Sequence, residues 1–289
     1  MDNRVIKMEK FIDLHTHSIK SDGSMTPAEV VREAKRAGLA AIALSDHDSI
    51  DGVKEAMAEG EKIGVEVVPA IEFSVQSATE THILAYYLDI ENEKLLKTLA
   101  ECKETREFRN SETCRKLNEL GFDVTMDEAR AIAPNGIIGR AHFARLLMDK
   151  GYTQSVKEGF KLYLENGKYA YCGVQRLAAD ETVELIRECG GVSSVAHLHL
   201  IKMEDEPLYE FLKGLKAHGL NAVEGYYTEY TPEMQDKYQS MAKELGLIIS
   251  GGTDFHAQMK PHISIGTGTG NLRIPYSVLE NIKKIKESL

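Results

Sequence analysis

A chain of 289 residues, 43% of them hydrophobic, can bury one large core, and since α/β barrels run to this length as one domain, a single domain with an insertion is as plausible as two domains. The net charge of −10 argues against a long duplex DNA footprint, which needs a basic surface, but leaves room for a small anionic substrate where bound metal makes the field locally positive. No apolar run approaches the ~20 residues of a membrane span, the opening MDNRVIKMEKF lacks a signal-peptide core, and Cys102, Cys114, Cys172 and Cys189 form no C-x-x-C pair, so a cytoplasmic protein without a membrane partner is expected.

Residues 10–14 read as a strand, and Thr26-Pro27-Ala28-Glu29 opens a helix with a capping box and proline in the first turn. That helix stops at Gly38. A strand over 39–44, a helix over 53–63 ending at Gly64, and strands over VEVVPAIEF and THILAYYL follow. This alternation predicts parallel βα units. From 92 to about 125 the pattern is one long charged helix ending at Gly121, followed by helices over MDEARAIA, GRAHFARLLMDKG and SVKEGFKLYL. Residues 92–170 therefore read as a helical insertion, with 1–91 and 171–289 forming the α/β body. Alternation resumes with a helix over TVELIRECGG, a strand over GVSSVAHL and a helix over PLYEFLKGLKAHG. A strand over NAVEGYY, a helix over TPEMQDKYQSMAKELG and a strand with its loop over LIISGGTDFH complete the chain's regular pattern.

The polar residues that could do chemistry cluster at strand ends. His15 and His17 follow FIDL; Asp46, His47 and Asp48 follow IALS; Glu72 follows VVPAI; His197 ends VSSVA; Asp254 and His256 follow IISGGT. His82, near the start of its strand, is the exception. In α/β barrels such positions converge on one face. Histidine with carboxylate and without cysteine is a ligand set for Zn, Mn or Fe. His15 and His17, two apart on a strand, share a face and can reach one ion. Carboxylates at Asp22, Glu72 and Asp254 imply more than one ion, which suits phosphoester hydrolysis. His218 and His262 read as ordinary histidines, Asp48 as structural and His199 as a neighbour of the site; Asp46 is either a loop cap or part of it. Gly139-Arg140-Ala141-His142 opens a helix, where an anion is favoured. Arg140 there is either a bidentate phosphate ligand or a solvated side chain. Lys168 and Arg176 are weaker candidates of the same kind.

FIDLHTHSIKSDGSMTPAEVVREAKRAGLAAIALSDHDSIDG, PAIEFS, the strand carrying His82, SVAHL and SGGTDFH together resemble the PHP (polymerase and histidinol phosphatase) superfamily over essentially the whole chain. The resemblance implies a distorted (β/α)7 barrel with a helical insertion capping the active site, and two or three divalent ions, manganese first, with zinc or iron as alternatives. It implies that His15, His17, Glu72 and Asp254 hold one ion, that Glu72 bridges to a second with His82 and His197, and that Asp22, His47 and His256 hold a third. Asp22 stands where some relatives carry histidine. GRAHFARLL and GLIISGGTDFHA resemble the subgroup that removes the 3′-phosphate of nucleoside 3′,5′-bisphosphates, some members of which trim short RNA from its 5′ end. Arg140 and His142 match its phosphate-contacting positions.

The expected reaction is hydrolysis of a small nucleotide's phosphate ester by a metal-activated hydroxide. Its catalytic set is His15, His17, Glu72, His197, Asp254, Arg140 and His142, with His142 or His197 protonating the leaving group. The rival readings are a histidinol-phosphate phosphatase or other small phosphomonoesterase, an amidohydrolase, and a non-catalytic nucleotide-binding module.

Overall fold

The computed structural model describes residues 9–77, 79–132, 138–173 and 176–289. Most of the opening segment searched for a leader and the last residue of the helix expected over MDEARAIA lie outside it. Among these residues eight strands form one sheet in the order β7-β6-β5-β4-β3-β2-β1-β8. They are β1 (Phe11–Thr16), β2 (Ala41–Leu44), β3 (Glu66–Ser74), β4 (His82–Tyr86), β5 (Val192–Val195), β6 (Ala222–Tyr227), β7 (Ile248–Gly252) and the short β8 (Ile274–Pro275). Helices α1 (Pro27–Arg36), α2 (Val53–Ile63), α7 (Ala179–Glu188), α8 (Asp205–His218), α9 (Pro232–Leu245) and α10 (Ser277–Ser288) accompany the strands. This is the distorted α/β barrel expected. No described helix is long and apolar enough to cross a membrane.

The barrel closes through backbone rather than through a full ladder. The N–H groups of Asp254 and Phe255 donate to the His15 carbonyl at 2.9 and 3.3 Å, and the His17 N–H donates to the Phe255 carbonyl at 2.9 Å. Gly252 makes this seam possible, because a Cβ there would lie 2.2 Å from the His15 Cβ and 2.4 Å from its nitrogen. Inside the barrel, Ile12, Leu14, Ala43, Val68, Leu84, Tyr86 and Val192 pack as one cluster, reaching α10 through Leu279 and Ile282.

Two strands depart from the expected parallel pattern: the short β8 pairs antiparallel with β1, and β4 is reversed within the sheet. β4 runs antiparallel to both β3 and β5. Residues 75–81, which join it to β3, are too short for the dozen-residue crossover that a parallel neighbour needs. Reversal places the start of β4, and hence His82, at the barrel end where the other strands finish. β5 is also shorter than GVSSVAHL suggests: it stops at Val195, and His197 turns out of it at φ +27°.

Among the described residues the insertion is helical: α3 (Glu93–Glu119), α4 (Met126–Ile132), α5 (Arg140–Asp149) and α6 (Val156–Gly159), the last continuing into a π-helical turn, Phe160–Leu164, rather than a longer α-helix. Asn92 caps α3, its Oδ1 accepting from Lys94 N–H at 3.0 Å and Leu95 N–H at 3.2 Å. Leu95 and Leu99 of α3 pack into the barrel's outer core, whereas Cys114 and Leu117 join Phe143, Leu147 and Leu164 in a separate cluster. One helix thus holds the two cores together.

Because the seam leaves no space at Gly252, Gly252→Ala is expected to destabilise the protein by at least about 3 kcal/mol, the upper range for overpacking against backbone. A urea-unfolding midpoint unchanged from wild type would show that the seam tolerates a methyl group.

Candidate metal centre

Glu72, at the end of β3, is fully buried and stands in the middle of five imidazoles. Its Oε2 lies 3.3 Å from His15 Nε2, 3.3 Å from His17 Nε2 and 3.0 Å from His47 Nδ1. Its Oε1 lies 3.0 Å from His82 Nδ1 and 3.1 Å from His197 Nε2, which are themselves 3.1 Å apart. Asp254 Oδ1 sits 3.6 Å from His15 Nε2, 3.2 Å from His17 Nε2 and 3.3 Å from His256 Nδ1. Asp22 completes the cluster, 3.1 Å from His256 Nε2 and 3.8 Å from His47 Nε2. All nine ligand candidates therefore meet at one barrel end.

The geometry groups them slightly differently from the expected partition. His17, Asp22, His47 and His256 form one set, His15, His17 and Glu72 another, and His47, Glu72 and His82 a third, so His17 and His47 each belong to two. Ligands held about 2.1 Å from an ion stand roughly 3.0–3.4 Å from one another, close to most of the distances here. His15 Nε2, His17 Nε2, His47 Nδ1, Asp22 Oδ1 and Glu72 Oε2 are buried without a hydrogen-bond partner. Buried lone pairs converging on shared points fit divalent cations.

Electrostatics agree. Burial opposes ionisation of Glu72, but His47, His15 and His82 hold it well below the usual carboxylate range. Burial likewise opposes ionisation of Asp22, yet His256 and His47 hold it low. Burial disfavours the His17 cation, but Asp254 and Glu72 outweigh it and push the ring up to about 9. At His47 burial wins and pulls the ring down to about 3.

Several neighbours position the cluster. His15 Nδ1 lies 2.9 Å from Glu224 Oε1 on β6, which turns Nε2 toward the centre. The other Glu224 oxygen accepts the His197 N–H at 2.7 Å. Asp46 serves the loop: it accepts from Ser18 N–H at 2.8 Å, Ser18 Oγ at 2.7 Å and Ser21 Oγ at 2.6 Å. Asp48 accepts from Ser74 N–H at 2.9 Å and pairs with Arg106 of α3, tying insertion to barrel. His199 stands beside Glu229, Tyr227 and Tyr230 rather than in the cluster.

A cleft of about 670 Å³ opens over the cluster. Asp22, His47 and His82 of the cluster line it together with Arg106, Arg109, Arg140, His142, Tyr171 and Arg176. Among the described residues, Arg109, Arg140 and Arg176 have no carboxylate within ion-pair distance. Arg109 donates to Asn110 Oδ1 at 2.8 Å and the Ile138 carbonyl at 3.2 Å; burial, with Arg106, Arg140 and Arg176 nearby, pushes it down to about 9. Arg140 donates to the Leu164 carbonyl at 3.2 Å and stacks 5.2 Å from the Tyr171 ring centre. His142 Nδ1 accepts the Gly139 N–H at 2.9 Å, and burial lowers its basicity. Lys168 is exposed and does not line the cleft, although its backbone bonds to Glu165 and Tyr171, which do.

The sequence reading missed Glu224, Tyr227, Lys260, Arg106 and Arg109. Glu224 had a signal: a carboxylate inside an apolar strand is rarely buried without a partner. The arginines of α3 carried none, since arginine on a charged helix is ordinary.

The sequence model of the PHP domain matches residues 13–264. The chain is 32% identical over 250 residues to a 5′-3′ exoribonuclease of Haemophilus influenzae, covering 86% of this chain and 91% of that one. It is 32% identical over 248 residues to a 3′,5′-nucleoside bisphosphate phosphatase of Chromobacterium violaceum, covering 85% and 87%. A crystal structure from Bifidobacterium adolescentis, described as a metal-dependent phosphoesterase, superimposes with a TM-score of 0.83 at 26% identity over 94% of this chain and 95% of that one.

Two measurements follow from the cluster. Glu72→Gln is expected to lose most of the bound metal in elemental analysis while keeping the fold by circular dichroism; full metal content would remove Glu72 from the centre. Chelator-treated protein should be most stable near pH 6.5, the ordinary histidine value. The His17 contribution, complete below 6.5, is lost as pH rises through about 9, whereas His47, held neutral to about 3, costs stability as pH falls below 6.5. Saturating Mn(II) should abolish the alkaline loss, because the ion replaces the proton. A flat melting temperature between pH 6.5 and 9 in the chelated protein would contradict this.

Proposed function

The chain belongs to the PHP domain family and is a metal-dependent phosphoesterase, and within that class we propose that it removes the 3′-phosphate of nucleoside 3′,5′-bisphosphates, with short 5′-phosphorylated RNA as a second substrate. One observation carries this reading: residues of the His/Asp/Glu cluster and a set of arginines line one cleft. A substrate with two phosphates on one sugar has an anion for each group. The bisphosphate phosphatase among the relatives gives the reading its substrate.

In this reading residues 92–170 form the substrate cap, with 1–91 and 171–289 as the barrel. His15, His17, Asp22, His47, Glu72, His82, His197, Asp254 and His256 hold two or three divalent ions, manganese being our first assignment and zinc or iron the alternatives. Bound there, the ions supply a nucleophile at neutral pH and charge stabilisation for the ester oxygens. Glu224 keeps His15 turned toward them. Arg140, with its guanidinium held against Tyr171, grips the second phosphate, and Arg109 and Arg176, with no carboxylate at ion-pair distance among the described residues, add positive charge. His142 accepts the Gly139 N–H at Nδ1, so its neutral ring carries the proton on Nε2. It therefore donates, either to a phosphate oxygen or to the departing alkoxide. His197, engaged with Glu72 and His82, is less free for that task.

The deciding experiment is phosphate release from adenosine 3′,5′-bisphosphate by Mn(II)-loaded protein. AMP, histidinol phosphate and a short 5′-phosphorylated RNA serve as comparisons. Release from the bisphosphate with AMP left over is expected, and histidinol phosphate turned over in its place would discard the nucleotide assignment. Arg140→Met should raise KM for the bisphosphate at least about tenfold, the worth of one charge-assisted hydrogen bond. An unchanged KM would remove Arg140 from the phosphate site.

A further inference from the structure

The two carboxylates at the centre of the cluster are held differently. Glu72 turns both oxygens to imidazoles, Oε1 to His82 and His197 and Oε2 to His15, His17 and His47. Asp254 turns only Oδ1 that way. Its Oδ2 accepts from Tyr227 Oη at 2.9 Å and from Lys260 Nζ at 2.6 Å. Neither donor is incidental. Tyr227 is a buried residue of β6, and its hydroxyl donates to Asp254 inside the fold. Lys260 follows a 3-10 turn and is anchored by its own backbone, its N–H donating to the Ala257 carbonyl at 3.2 Å and its carbonyl accepting from Ile263 N–H at 3.0 Å. The stem therefore starts from a fixed point beside Asp254.

We propose that Lys260 and Tyr227 are positioning residues that clamp Oδ2 of Asp254, restricting this carboxylate to a one-oxygen ligand while Glu72 alone serves both sides of the cluster. The proposal rests on the metal-centre reading and not on the nucleotide assignment. An aspartate free at both oxygens would chelate one ion or bridge two, and either arrangement would compete with Glu72 and crowd the coordination positions open to water and substrate. The clamp prevents this by hydrogen bonding. The ammonium also places a fixed positive charge next to the ion-binding atoms, which loosens the adjacent ion and keeps it electron-poor. Lys260 acts through Asp254 and not on the ester.

The test reads metal retention in the absence of substrate. Wild type, Lys260→Met, Lys260→Arg and Tyr227→Phe are loaded with Mn(II), and transfer of the ion to a competing chelator is followed with time. Lys260→Met keeps the apolar stem and removes the charge. It is expected to release its slow ion roughly tenfold more slowly than wild type, since both a repelling charge and a competing donor are gone. Tyr227→Phe should slow release several-fold, and Lys260→Arg should restore the wild-type rate. Removal of a merely structural contact would have the opposite sign, loosening the ion. Release that is unchanged or faster in both Lys260→Met and Tyr227→Phe overturns the proposal. Wild-type stoichiometry from the same titration reports on the metal centre by itself, and the variant-to-wild-type ratio reports on the clamp.

Discussion

A carboxylate buried at the end of a barrel strand is the constraint from which the rest of this molecule follows. Taking Glu72 out of water costs on the order of several kcal/mol unless cations replace its hydration. The fold answers that cost by bringing five imidazoles from four separate segments to within 3.3 Å of its two oxygens. Each of those histidines would be inert, or costly, at its depth without Glu72. The cluster is thus a mutual arrangement, and divalent ions are the species best able to satisfy a set of neutral nitrogens and ionised oxygens facing each other with few protons between them.

That arrangement explains irregularities in the barrel. A regular parallel barrel would put the first residue of β4 at the wrong end, far from Glu72. The short connection reverses β4 and brings His82 round, at the cost of two antiparallel pairings in the sheet. The seam between β1 and β7 is similarly shaped by the site. His15 and His17 flank the backbone contacts to Asp254 and Phe255, so the closure that makes the sheet a barrel also sets Asp254 against the two histidines. Gly252 permits that approach, and the positive φ of Asp254, +58°, turns its side chain back over the strand end. Closing the fold and assembling the site are one event at this seam.

Much of this was legible in the sequence, and what was not has physical reasons. Strand-end histidines and carboxylates declare themselves because polar residues at the ends of apolar runs have few other uses. Periodicity, however, carries no direction: THILAYYL reads alike in either sense, and only the shortness of residues 75–81 forecasts the reversal. Glu224 was hidden because it lies inside a strand, and its role depends on a pairing with His15 that no local pattern encodes. Lys260 sits in a polar loop where lysine is unremarkable until its ammonium is found on Asp254. The arginines at 106 and 109 illustrate the same limit, since a long charged helix gives no sign of which face looks into a cleft. Side chains whose function comes from position across the fold stay invisible to spacing along the chain.

The charge distribution reconciles an acidic protein with an anionic substrate. With a net charge of −10 the surface as a whole repels phosphate. Long polyanions meet that repulsion along their whole length. A small molecule meets only the cleft of about 670 Å³, which four arginines line together with Asp22, His47 and His82 of the His/Asp/Glu cluster. Among the described residues three of those arginines lack a carboxylate at ion-pair distance, and Arg109 is driven below its usual basicity by burial and by the other guanidinium groups. Like charges held together in a protein store repulsion that an anion relieves on binding, so the free cleft is itself part of the driving force. In the proposed reading, selectivity arises from having two groups to satisfy: an ester with one phosphate engages the ions or the arginines, and an ester with two phosphates engages both.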